Sequence, residues 1–117
     1  MAEIKIDRMD GVTVITLPGI TVEGPEAITR LDSLLEGLLA GGDNIKVVVD
    51  LSGVYRLTNI GLGLLLNCVT SLRTSGNGDL KVAEVPLVLG SMFNAMSAIF
   101  TSYRTVEEAV ASFAKKE

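Results

Sequence analysis

Residues 3–6 alternate charged and apolar side chains, and they and residues 12–18 each read as strands. Asp7-Arg8-Met9-Asp10-Gly11 between them is turn chemistry. So short a link allows only an antiparallel pair, hence a hairpin. The period then lengthens. Gly24-Pro25 opens a helix, with Pro25 suited to the first helical position, where its missing N–H costs nothing. Ala27, Ile28, Leu31, Leu34, Leu35, Leu38 and Leu39 recur at helical spacing, and Gly41-Gly42 ends the segment.

Residues 45–51 form a near-continuous β-branched run interrupted by Asp50, the pattern of a strand buried on both faces. A loop over 52–59 leads to a helix over 60–75, which stops at Gly76-Asn77-Gly78. A strand over 80–85 ends at Pro86, a helix follows over 88–97 despite Gly90, and residues 99–103 make a short strand. Thr105 opens the last helix, with Glu108 completing a capping box. Ala109, Val110 and Phe113 give that helix an apolar face, and Lys115 and Lys116 suit the negative end of its dipole. Strands separated by helices run parallel through right-handed crossovers. The expected fold is therefore α/β: one domain over residues 1–117, a mixed and mostly parallel sheet with an N-terminal hairpin, and about four helices.

Composition adjusts this picture in a few places. The chain has 117 residues, 48% hydrophobic and 21% charged, enough for a core without metal or disulfide staples. Its longest apolar runs, Val47-Val48-Val49 and Leu64-Leu65-Leu66, fall far short of the roughly 20 residues of a spanning helix. The net charge is −4 and the basic residues are scattered, so no stripe for nucleic-acid phosphates forms. A lone cysteine, Cys68, and no signal-type segment point to a reducing cytoplasm. Cys68 itself reads as a small buried hydrophobe.

Histidine is absent, which removes the commonest general base and transition-metal ligand. No Gly-x-Ser-x-Gly elbow occurs, no P-loop lysine follows Gly61-Leu62-Gly63, and Leu66 stands where a dinucleotide fingerprint needs its third glycine. Asp32 and Glu36 lie one helical turn apart on a solvated face, and Asp50 alone makes no catalytic constellation. The expectation is a binding protein with no catalytic residues, no metal and no cofactor.

The most informative stretch runs from the end of the buried strand into a helix N-terminus: Asp50-Leu51-Ser52-Gly53-Val54, then Thr58-Asn59-Ile60-Gly61-Leu62-Gly63, then Leu64-Leu65-Leu66. It resembles the STAS family of bacterial anti-sigma factor antagonists, whose pattern is a strand ending in Asp-Leu-Ser, a loop, Asp-Ser-Ser-Gly-Leu-Gly and an apolar helix. The order of elements matches along the chain, and Ile99-Phe100 and Thr105-Val106-Glu107-Glu108-Ala109 look like the family's ending. The resemblance implies a STAS-like domain that binds an anti-sigma factor of the serine protein kinase type and frees its sigma factor. It implies neither nucleic-acid binding nor membrane insertion, and a monomer or weak dimer is expected.

In that family a serine at this helix start is phosphorylated by the partner, adding nearly two negative charges that switch binding off. The matching position here is Asn59, which has no hydroxyl, and Thr58 takes the preceding acidic position. Three readings stay open: Asn59 is a helix N-cap, Asn59 locks the protein in its partner-competent state, or phosphorylation has moved to Thr58. Two rival functions also stay open, a STAS subunit of an ABC-type membrane transport complex and a scaffold subunit of a stress-sensing assembly.

The expected contact residues are Ser52, Tyr55, Thr58, Asn59, Gly61, Leu62 and Leu66. Gly61 and Gly63 read as close helix–sheet packing, at least one of them, or as room for a partner's approach. Leu62, Leu64, Leu65, Leu66, Cys68, Val69 and Leu72 cover an arc of about 200°, more than one sheet face needs. Either a neighbouring helix buries the excess, or the flank of Leu62, Leu66 and Val69 is exposed for a partner. Met92, Phe93 and Met96 pose the same choice between core and adaptable surface.

Overall fold

A computed structural model of the chain describes residues 4–17, 20–21, 25–42 and 44–114, without the side chains of 20–21, 25–28 and 75. The expectations for residue 3, Pro18, Gly24, Lys115 and Lys116, and for the side chains of Ala27 and Ile28, lie outside the described residues.

Asp10 and Gly11 both take left-handed φ, 53° and 81°. Two such residues in a row make the tight turn whose twist matches paired strands. β1 (Lys5–Met9) and β2 (Val12–Thr16) therefore pair antiparallel, with Met9 opposite Val12. The turn is shorter than the expected 7–11, because Asp7, Arg8 and Met9 belong to the strand. β1 is an edge strand with mostly exposed side chains, so its polar residues imitate a loop.

The rest of the order is β3 (Ile20–Thr21), α1 (Pro25–Leu39), β4 (Lys46–Asp50), β5 (Arg56–Leu57), α2 (Asn59–Gly76), β6 (Asp79–Ala83), α3 (Leu87–Ala95), β7 (Ser102–Tyr103) and α4 (Val106–Ala114). The main sheet has the order β1-β2-β4-β6-β7, parallel apart from the hairpin. β3 and β5 pair parallel as a separate small ribbon, so the expected loop over 52–59 contains a strand.

This order explains where the helices go. Each crossover, β2 to β4, β4 to β6 and β6 to β7, steps the same way across the sheet, and connections of one hand then place α1, α2 and α3 on one face. Their core holds Leu31, Leu35, Leu65, Cys68, Val69, Leu72, Leu89 and Phe93 against Ile15, Val47, Val49, Leu80 and Val82. Among the described residues, α4 covers the other face, placing Val106, Ala109 and Val110 over Val12, Val14, Val48 and Ala83. Val47 and Val49 thus serve one core and Val48 the other, the alternation expected of a strand buried on both sides. Met92 and Met96 pack half-buried against the larger core, and Phe93 meets Phe100 edge-on at 5.5 Å between ring centroids. That cluster is core.

The start of α4 and the end of α2 are capped as the sequence directs. Thr105 Oγ1 accepts the N–H of Glu108 at 3.0 Å. Asn77 is left-handed at φ 58°, and the N–H of Gly78 donates to the carbonyl of Leu72 at 2.9 Å. α4 has no basic residue in its described last turn, but Lys81 reaches it from the sheet. Its Nζ donates to Ser112 Oγ at 2.7 Å and sits 4.2 Å from the centre of the Phe113 ring. That ammonium joins the short helix to β6 by a hydrogen bond and a cation–π contact.

Candidate functional site

The candidate site begins where β4 leaves the sheet. Asp50 Oδ1 accepts the N–H of Ser52 at 2.9 Å, which turns the chain out of the strand. The N–H of Val54 then donates to the carbonyl of Leu51 at 2.9 Å. Leu51 and Val54 are buried and pin the loop, while Ser52, Gly53 and Tyr55 stay outside. Asp50 is thus committed to shaping this turn. Tyr55 is 61% exposed, large for an aromatic ring with no partner to cover it.

β5 carries the chain back: Leu57 is buried, and pairing with β3 leaves Thr58 extended at φ −76°, ψ 164°. That conformation makes Thr58 the N-cap of α2. Its Oγ1 accepts the N–H of Gly61 at 3.1 Å, and its carbonyl accepts the N–H of Leu62 at 2.9 Å. The reading of Asn59 as the cap is therefore corrected. Asn59 is already the first helical residue, with its side chain exposed.

Along α2, Gly61, Leu65, Cys68, Val69 and Leu72 are buried, and Leu62, Leu64 and Leu66 are half-buried against the core. The expectation of an exposed flank through Leu62, Leu66 and Val69 fails at Val69. α1 packs beside α2 and accounts for the wide apolar arc. The glycines divide as well: Gly61 is buried, whereas a Cβ on Gly63 would meet nothing within 4 Å. Burial pushes the Cys68 thiol up to about 11 from 9.0, as an apolar surrounding disfavours the thiolate.

Of the seven expected contact residues, Ser52, Tyr55 and Asn59 are exposed, Thr58, Leu62 and Leu66 half-buried, and Gly61 buried. Sequence reasoning missed the apolar side chains that stand out most at this end of the molecule. Ile60, beside Asn59, is 56% exposed; Leu87 and Val88, opening α3, are 99% and 67% exposed. A signal for the last two existed. With Leu89 and Phe93 on the core face, Leu87 falls about 200° round the helix from Leu89 at 100° per residue.

The site also lacks the crevice typical of open α/β sheets. Such crevices form where the strand order reverses, and the order here never does. The carboxyl edge of the sheet carries at most a shallow, open cleft rather than a deep slot. Among the described residues no helix is long and apolar enough to cross a membrane, and no group of acidic or thiol side chains is placed to hold a metal ion.

No family model matches the chain, and no curated protein does. Solved structures do. An anti-sigma factor antagonist from Mycobacterium paratuberculosis superimposes with a TM-score of 0.79 at 20% identity, over 97% of this chain and 94% of its own. A STAS domain protein from Planctomyces limnophilus gives 0.80 at 21%, over 97% and 98%. The anti-sigma factor antagonist SpoIIAA in its unphosphorylated form gives 0.76 at 13%, over 96% and 97%. From the hairpin to α4, this chain has the fold of the STAS-domain anti-sigma factor antagonists.

Proposed function

We propose that the protein is an anti-sigma factor antagonist, which binds a serine-kinase-type anti-sigma factor and so releases its sigma factor, without catalysing a reaction itself. The observation that carries this reading is an exposed edge at the β4–α2 junction, with Tyr55, Asn59 and Ile60 facing outward in a chain of this fold. Tyrosine and isoleucine beside an amide and a hydroxyl supply apolar burial together with directional bonds, as docking edges require.

The edge also favours the locked state over a shifted phosphorylation site. The exposed side chains that open α2, Asn59 and Ile60, carry no hydroxyl. That of Thr58 is half-buried and engaged in the cap, so a kinase would have to open the helix start to reach it. On this reading the protein stays competent for its partner without a phosphate switch.

Affinity purification from the native cells tests the proposal. Recovery of an ATP-binding protein kinase together with a sigma factor is the expected result, and a transporter ATPase in its place would overturn it. Incubation with the recovered kinase and mapping by mass spectrometry tests the locked state, which phosphate on Thr58 would eliminate. Replacing Asn59→Asp and Leu62→Ala together should abolish complex formation while the domain remains folded.

A further inference from the structure

The docking edge at the start of α2 is small for the task assigned to it. Stable interfaces bury about 800 Å² on each partner, from some 20–30 residues. The loop over residues 52–55 and the first turn of α2 offer only a few exposed side chains.

The surface continues past Ser52. A shallow cleft of about 520 Å³ lies at the carboxyl ends of β4, β6 and β7, lined by Ser52, Glu84, Val85, Ser102, Tyr103 and Arg104. Backbone bonds hold these strand ends together: the N–H of Leu51 donates to Ala83 O at 3.0 Å, and that of Glu84 to Tyr103 O at 3.1 Å. Glu84 takes a left-handed φ of 59°, an uncommon conformation for a residue with a side chain. Neither its carboxylate nor the Arg104 guanidinium has an ion-pair partner among the described residues, although they line the same cleft. Just beyond Val85, Leu87 projects almost wholly into solvent with Val88 beside it, and α3 packs against β5, the strand that leads into α2.

An open, shallow cleft does not suit a small molecule, whose sites are concave and enclose most of the ligand. Apolar anchors beside uncommitted charges suit a protein surface instead. We infer that the docking edge is bipartite: the partner that meets the start of α2 also covers Leu87 and Val88 with an apolar side chain, and offers an acid to Arg104 and a base to Glu84. This rests on the antagonist reading and adds to it. Ser52 belongs to both halves, so one partner covers them continuously. These two charges act as a register, since a partner with the opposite arrangement would meet like charges.

The test is calorimetric titration of the purified protein with the purified kinase-type anti-sigma factor of the same cells, for the wild type, Leu87→Ser, Arg104→Glu, and Asn59→Asp with Leu62→Ala. Leu87→Ser and Arg104→Glu alter exposed side chains, so their melting curves should match the wild type. Each should weaken binding by about tenfold, and the Arg104→Glu effect should shrink as salt is raised. If both bind within about twofold of the wild type while the Asn59→Asp, Leu62→Ala protein does not bind, the second half of the footprint is refuted and the antagonist reading stands. If the wild type itself does not bind, the antagonist reading falls and takes this inference with it. If Leu87→Ser instead changes the sedimentation of the isolated chain, the face belongs to a second copy and the inference is overturned.

Discussion

The hydroxyl of Thr58 accepts the backbone N–H of Gly61 at 3.1 Å, and this bond makes Thr58, not Asn59, the residue that closes the N-terminus of α2. Threonine and asparagine both cap well, so their adjacency alone could not decide between them. The decision comes from β5. A strand that ends at Leu57 leaves Thr58 extended, as a cap must be, and starts the helix at Asn59.

Thr58→Ala should therefore destabilise the domain by about 1 kcal/mol, and Thr58→Ser should restore most of that. Urea unfolding measures both. Faster hydrogen exchange at the Gly61 amide in Thr58→Ala would locate the loss at this cap, and an unchanged Gly61 amide would remove Thr58 from the role.

Two glycines should respond to alanine with opposite sign. Gly63 is exposed inside α2 and a Cβ there meets nothing within 4 Å, so Gly63→Ala should stabilise by about 1 kcal/mol. Gly78 follows the left-handed Asn77 at the end of α2, and a Cβ there would lie 2.6 Å from the carbonyl oxygen of Ile45. Backbone would have to shift, so Gly78→Ala should destabilise by about 1–3 kcal/mol. Thermal melts of the two variants check the pair together.

The elements that were legible in the sequence are those whose side chains repeat. Val47, Val48 and Val49 announced a strand with cores on both sides, and the helical spacing of Leu31, Leu34, Leu35 and Leu38 announced α1. Elements too short to have a period were not legible. β5 has two residues, and its partner Ile20–Thr21 lies more than thirty positions earlier. The edge strand β1 was cut short because Asp7 and Arg8 face solvent and imitate a turn. At the site, the junction itself was readable, because a strand end, turn residues and a helix start follow in order. Exposure was not: Val69 is buried on a helix that packs against α1 as well as the sheet, and Leu87 is exposed because Leu89 and Phe93 claim the core face of α3.

Burial of Cys68 makes stability depend on alkaline pH in a defined direction. The folded thiol holds its proton up to about 11, whereas the unfolded one releases it near 9.0. Below that lower value both states are protonated and the full stability is present. As pH rises through the interval the unfolded chain alone gains by ionising, so stability falls, by at most about 1.4 kcal/mol per pH unit. Cys68→Ala should lose this contribution. Comparing the slopes of unfolding free energy against pH for the two proteins cancels the other alkaline groups, and equal slopes would show that Cys68 ionises alike in both states.

Asn59→Asp separates the stability of the helix start from its recognition. The first turn of α2 has no acidic residue, so a carboxylate at its first helical position meets the free N–H groups and the positive end of the dipole. The variant should be more stable by about 0.3–1 kcal/mol, with the gain shrinking as salt is added. The same charge lies on the exposed edge beside Tyr55 and Ile60, where the antagonist reading places the partner. Affinity should therefore fall while the melting temperature rises, which excludes unfolding as the cause of lost binding. A variant that is more stable and binds unchanged would place the docking surface elsewhere on the molecule.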